Sequence, residues 1–137
     1  MNNNMTNIEK ACQFLKDCGT YYLATLDGDQ PRVRPFGTAH IFEDHLYFQT
    51  GLSKDVAKQI GANPKVEICG FRDGKWIRIA AQAIHDPRIE AQSSLLDAYP
   101  SLKGMYQAGD GNTAVYYLRD ASATISSFTE APESFTF

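Results

Sequence analysis

The run TNIEKACQFLKD (6–17) carries apolar residues at Ile8, Ala11, Cys12, Phe14 and Leu15, the spacing of one buried helix face. Thr6 and Glu9 stand three apart at its start, the capping-box pattern, and Gly19 supplies a terminator. After Gly19 the period falls to two. YYLATL (21–26) reads as a strand, and Asp27-Gly28-Asp29 as a hairpin signal leading into a strand from about Arg32 to Phe42. Asp44-His45 turns the chain back into LYFQT (46–50). A helix is expected over 53–62, broken by Asn63-Pro64. KVEICGF and KWIRIAAQAIH follow as strands joined by Arg72-Asp73-Gly74. Asp86-Pro87 has the form of an N-cap with proline at the first helical position, and Ile89, Leu95, Leu96 and Tyr99 form that helix's buried side. Residues 100–112 are irregular with a glycine-rich tip, read as a plain loop. AVYYLRD and SATISSF form one long broken strand or a hairpin.

Strands joined by such short turns pair antiparallel. Closure into a small barrel would remove their exposed edges. The expected fold is mainly β within the α+β class, a six- to seven-stranded antiparallel split β-barrel with two to three peripheral helices. No linker, repeat or low-complexity segment divides residues 1–137, which read as a single domain. An aromatic content of 12% suits a β-rich core. The net charge of −3 argues against a nucleic-acid surface. No apolar run approaches the ~20 residues of a membrane span, and MNNNMTNIEK lacks a signal-type stretch. A cytoplasmic protein is expected. Cys12, Cys18 and Cys69, odd in number and without a CxxC, fit reduced thiols.

Two stretches carry candidate chemistry. In PRVRPFG (31–37), alternation places Arg32, Arg34 and Phe36 on one face and Val33 and Pro35 on the other. Pro35 marks an edge or bulge, and Gly37 allows close backbone approach to a ligand. In QTGLSKD (49–55), Ser53 and Lys54 open a helix directly after a strand. Plain capping explains them; so does an anion at the helix N-terminus, served by the Ser53 hydroxyl, the Lys54 ammonium and a nearby Arg34. Trp76 and Arg78 share the face of their strand opposite Ile77 and Ile79, a position that suits a subunit interface or a planar ligand. His40, His45 and His85 lack metal-ligand spacing, and GxSxG, Walker A and GxGxxG motifs are absent.

Together, PRVRPFG, LYFQT, SKDVAKQIGANPKVEICGF, KWIRIAAQA and YLRDASATISSF resemble the FMN-binding split β-barrel of the pyridoxamine 5'-phosphate oxidase-like family. The resemblance implies a homodimer holding FMN at the subunit interface. It places Arg34, Pro35, Phe36 and Gly37 along the flavin, with Arg32 beside them. Gln49 and Thr50 would contact ring or ribityl, Ser53 and Lys54 the phosphate, and Trp76 would come from the partner subunit.

The chain also departs from the vitamin oxidases. The basic Ser-Arg-Lys run is Ser-Lys-Asp here, and no Trp, Arg or His follows Arg119. Oxidation of pyridoxamine 5'-phosphate is therefore not expected. The expected function is an FMN-dependent oxidoreductase acting on a small soluble substrate, with a nicotinamide electron donor. The alternative is a non-catalytic flavin- or haem-binding carrier or sensor.

Overall fold

The alternating YYLATL run forms β1 (Tyr21–Asp27), burying Tyr21, Leu23 and Thr25 and turning Tyr22 outward. The computed structural model describes residues 4–137; the first three residues of the polar MNNN start lie outside the described residues. β1 is preceded by α1 (Asn7–Cys18), whose Thr6–Glu9 capping box is fully formed and whose Ala11, Cys12 and Leu15 are buried. This helix packs on the sheet as its stripe requires.

β2 (Gln30–Phe36) pairs with β1 from Asp27–Gln30 to Tyr21–Phe36. The predicted strand 32–42 is in fact two, because the chain leaves β2 at Gly37 and re-enters the sheet only at β3 (His40–Phe42). β3 and β4 (His45–Gly51) form a hairpin whose turn residues Glu43 and Asp44 both have positive φ, 49° and 62°. Primed turns of this kind match the strand twist. The same device, Asp73 and Gly74 at 51° and 77°, joins β5 (Lys65–Arg72) to β6 (Lys75–Asp86).

α2 (Asp55–Ala62) lies between β4 and β5, and α3 (Ile89–Ala98) follows β6, continuing into a 3-10 turn at Pro100–Gly104. The N-cap of α3 is Arg88 rather than Asp86, because Asp86 completes β6 and spends its carboxylate on Tyr47 and Arg88. AVYYLRDASATISS is one long strand, β7 (Thr113–Ser127), bent at Asp120 (φ 54°) opposite a register shift in β6 between Ala80 and Gln82. The bulge increases local twist and curls the sheet. β8 (Glu133–Thr136), not foreseen in the sequence, pairs with the second half of β7.

All pairings are antiparallel, in the order β2-β1-β5-β6-β7-β4-β3 with β8 beside β7. The eight strands among the described residues curl around a core that includes Leu23, Phe48, Ile68, Ile77 and Ile79. Among the described residues β2 and β3 do not pair, so the barrel is split there rather than closed. Pro31 and Pro35 deprive β2 of two donors, which fits an edge strand. The connection 37–39 crosses the split, and that crossing positions the site.

Candidate functional site

A ladder does not satisfy the backbone of the crossing, so side chains do. The Tyr21 hydroxyl donates to the Thr38 carbonyl at 2.6 Å, and the Gln49 amide donates to Thr38 Oγ1 at 2.9 Å. The Tyr99 hydroxyl donates to the Ala39 carbonyl and accepts from the Ala39 amide, both at 3.0 Å. Phe36 points inward, its ring 5.3 Å from Phe48 and 6.2 Å from Tyr21. The segment is thus anchored on the core side.

Beside it opens a cleft of about 410 Å³. Arg34, Pro35, Phe36, Gly37 and Thr38 form one wall, and Gln49 and Thr50 from β4 join them. Lys54 and Val56 stand at the start of α2, and Tyr99, Ser101, Leu102 and Tyr106 form the remaining wall. Gln49 and Thr50 are buried, and Gln49 Nε2 donates to the Thr50 carbonyl at 2.8 Å. A second hollow, about 740 Å³, shares Arg34, Lys54 and Val56 with the first and adds Arg32, Val33, Ser53 and Gln59 together with the carboxylates of Asp27 and Asp55.

Arg34 reaches this place by a route different from the one expected. β2 does not neighbour β4; Arg34 pairs with Leu23 of β1 and turns toward α2. Its guanidinium donates to the Leu23 carbonyl (3.2 Å), Thr25 Oγ1 (2.8 Å) and Gln59 Oε1 (2.7 Å). Thr25 in turn donates to Gln59 Oε1 at 2.6 Å. Three of the five guanidinium N–H donors are used, which leaves two. Burial lowers the Arg34 pKa, while Asp55 opposes the shift. An arginine starts so high that it keeps its charge at neutral pH.

Lys54, not Ser53, is the N-cap of α2, and it makes no side-chain cap bond. Among the described residues its ammonium has no carboxylate partner within 4.0 Å, although Asp55 follows directly. The Ser53 amide is spent on Asn112 Oδ1 at 3.0 Å, so only its hydroxyl side remains for a ligand. Arg32 is exposed and paired with Asp27 at 3.2 Å, and it lines the second hollow alone. Trp76 lines neither; its ring lies 5.1 Å from that of Phe128, which is 91% exposed.

Nine of the ten residues singled out in the sequence therefore line these two adjoining hollows. Sequence reasoning missed Thr38, Tyr99, Ser101, Leu102 and Tyr106. Tyr99 was visible as a residue on the buried side of α3, but nothing local announces a hydroxyl partner at Ala39. No group of three or more His, Cys, Asp or Glu among the described residues could hold a metal. No helix among them is long and apolar enough to cross a membrane.

Comparison with known families decides the lineage: the model for pyridoxamine 5'-phosphate oxidase matches residues 8–105. The chain belongs to the pyridoxamine 5'-phosphate oxidase family. Among solved structures it is 44% identical to a NimC/NimA family protein from Clostridium acetobutylicum, with a TM-score of 0.93 over 97% of this chain and 95% of that one. A pyridoxamine 5'-phosphate oxidase-related, FMN-binding protein from Nostoc punctiforme shares 16% identity and a TM-score of 0.64, covering 98% of both chains. A heme-binding protein from Mycobacterium smegmatis shares 14% and 0.72, over 98% of this chain and 60% of that one. The last two establish the fold alone. No curated protein matches the chain.

Proposed function

We propose that the chain is an FMN-dependent oxidoreductase that works as a homodimer on a small soluble substrate. The observation that carries this reading is the union of two unequal ends in one cleft. Lys54 and the two remaining donors of Arg34 form a cationic end suited to a phosphate. The anchored backbone of Phe36-Gly37-Thr38, with Gln49 and Thr50, offers a flat polar wall suited to the edge of a planar ring system. Bound there, a flavin supplies the electron chemistry, so the cleft needs no catalytic dyad of its own. The protein's part is to bind and orient it.

Haem fits this cleft less well. Its lining contains no imidazole, thiol or thioether for an iron, and of its two phenols Tyr99 is already committed in both directions to Ala39, which leaves Tyr106 alone.

The sheet's outward face supports the dimer reading. Val33 is 68% exposed, Tyr22 50%, and Phe71 63%. Trp76 lies opposite Phe71 in register and against Phe128. These exposed apolar side chains share the face with the Arg78–Glu67 ion pair, a mixed surface that suits an interface. A second copy meeting it would bring Trp76 within reach of the neighbouring cleft, as the family resemblance implies.

A carrier and an enzyme differ in turnover. The FMN-loaded protein, supplied with NADH or NADPH and an artificial acceptor, is expected to oxidise the nucleotide catalytically. A protein that binds FMN tightly yet gives no turnover with either donor would be a carrier instead.

A further inference from the structure

The sequence GDGN at 109–112, read as a plain loop, is tied to the cationic turn by its last residue. The Asn112 carbonyl accepts from the Leu52 amide at 2.7 Å, and Asn112 Oδ1 accepts from the Ser53 amide at 3.0 Å. The Lys54 amide closes the turn on the Gly51 carbonyl at 3.0 Å. Three successive amides before α2 are thereby fixed, two of them by one residue 59 positions away from Ser53.

Asn112 is itself held. One Asp110 carboxylate accepts from the amides of Gln107 (3.0 Å), Asn112 (2.8 Å) and Thr113 (2.6 Å), and from the Thr113 hydroxyl (3.0 Å). The fit at the turn is close: a Cβ at Gly51 would lie 3.0 Å from Asn112 Nδ2 and 3.2 Å from Tyr106 Cε1. The loop that carries the cleft wall at Tyr106 thus also sets the turn that carries Ser53 and Lys54.

We propose that Asn112 is a specificity-determining positioning residue: by clamping the 51–54 turn it presents Ser53 and Lys54 to the ligand's phosphate, and so makes the site prefer FMN to riboflavin. This rests on the flavin reading given above. A fixed turn spares the ligand the entropy of ordering it, and that gain falls on the phosphate alone. General loosening of the fold would weaken both flavins alike.

The test is fluorescence-quenching titration of the full chain with FMN and with riboflavin, comparing wild type, Asn112→Ala and Asn112→Ser. Circular dichroism checks folding, and Asn112→Ser serves should the alanine variant fail to fold. The ratio of FMN to riboflavin affinity is expected to fall at least five-fold, with riboflavin affinity changed less than two-fold. An unchanged ratio in a folded variant, with both affinities intact or reduced together, overturns the proposal. A wild type that binds riboflavin but gains nothing from the phosphate overturns it too, while leaving a flavin site in place. A wild type that binds neither flavin removes the functional reading itself.

Discussion

The hydroxyl of Tyr99 holds both polar groups of Ala39, donating to its carbonyl and accepting from its amide at 3.0 Å each. Across the split between β2 and β3, these two bonds stand where a strand partner would otherwise be. Tyr99→Phe keeps the ring and removes both. Each net hydrogen bond contributes about 0.5–1.5 kcal/mol, so a loss of about 1–3 kcal/mol is expected. Urea unfolding of the flavin-free protein measures it. A change below about 0.3 kcal/mol would mean that water replaces the phenol without cost.

The outward sheet face yields a prediction about assembly. Trp76→Glu places a charge where the proposed interface buries apolar surface, and should convert a dimer to monomers of 15.2 kDa. Cys69 is exposed in the single chain and lies between Tyr22 and Arg78 in register on that face. In the dimer it should react slowly with a maleimide, and quickly in Trp76→Glu. Sedimentation giving a stable, FMN-loaded wild-type monomer would defeat this.

Acid and base should each weaken one buried contact. The Arg88 guanidinium, and then the Tyr47 hydroxyl, hold the Asp86 carboxyl down at about 2, against burial. A depressed carboxyl stabilises the fold above its unfolded pKa of about 4 and loses that contribution as pH falls toward 2. Burial, then the bond to Asp86, pushes the Tyr47 phenol up to about 12. That contribution is complete below pH ~10 and fades as pH rises through 12. Asp86→Asn should flatten the acid limb of a melting-temperature profile between pH 4 and 2. A limb as steep as the wild type's would assign the acid sensitivity elsewhere.

Most of this architecture was legible because short-range chemistry wrote it. Alternation in YYLATL and KWIRIAAQA, the Thr6–Glu9 cap and the Asp73-Gly74 turn each act within a few residues. Arg34, Gln49 and Lys54 stood out for the same reason, as polar or charged residues beside strand ends. What escaped depends on distant partners. The split itself was expected from the family resemblance, but its place after Phe36 follows from which strands fail to pair, and Ser53 gives up its amide to an asparagine in a loop that looked featureless. β8 was missed because ESFT is short and its apolar Phe135 packs on a core built elsewhere.

Pyridoxamine 5'-phosphate should be a poor substrate. It carries its own phosphate and needs a second cationic pocket, yet four of the cations outside the site are already engaged. Arg78 pairs with Glu67 at 2.7 Å, Arg88 with Asp86 and Glu43, Lys103 with Asp97 at 2.8 Å, and Arg119 donates to Gln82 at 2.6 Å. The assay is pyridoxal 5'-phosphate formation under air by the FMN-loaded protein. Turnover near about 1 per second at micromolar substrate would restore the vitamin oxidase activity.

The Lys54 end of the cleft is proposed to hold the phosphate of FMN. Arg34→Ala should weaken FMN binding, but it also removes a donor that Thr25 and Gln59 share, so Lys54→Ala is the cleaner probe. The most direct measurement is equilibrium titration of wild type and Lys54→Ala with FMN, using riboflavin as the phosphate-free control. One FMN per wild-type chain is expected, with a loss of about 1.5–3 kcal/mol in Lys54→Ala, roughly 10- to 150-fold in Kd, and no change for riboflavin. Identical FMN affinity in the two proteins, or no FMN bound by the wild type, would contradict it.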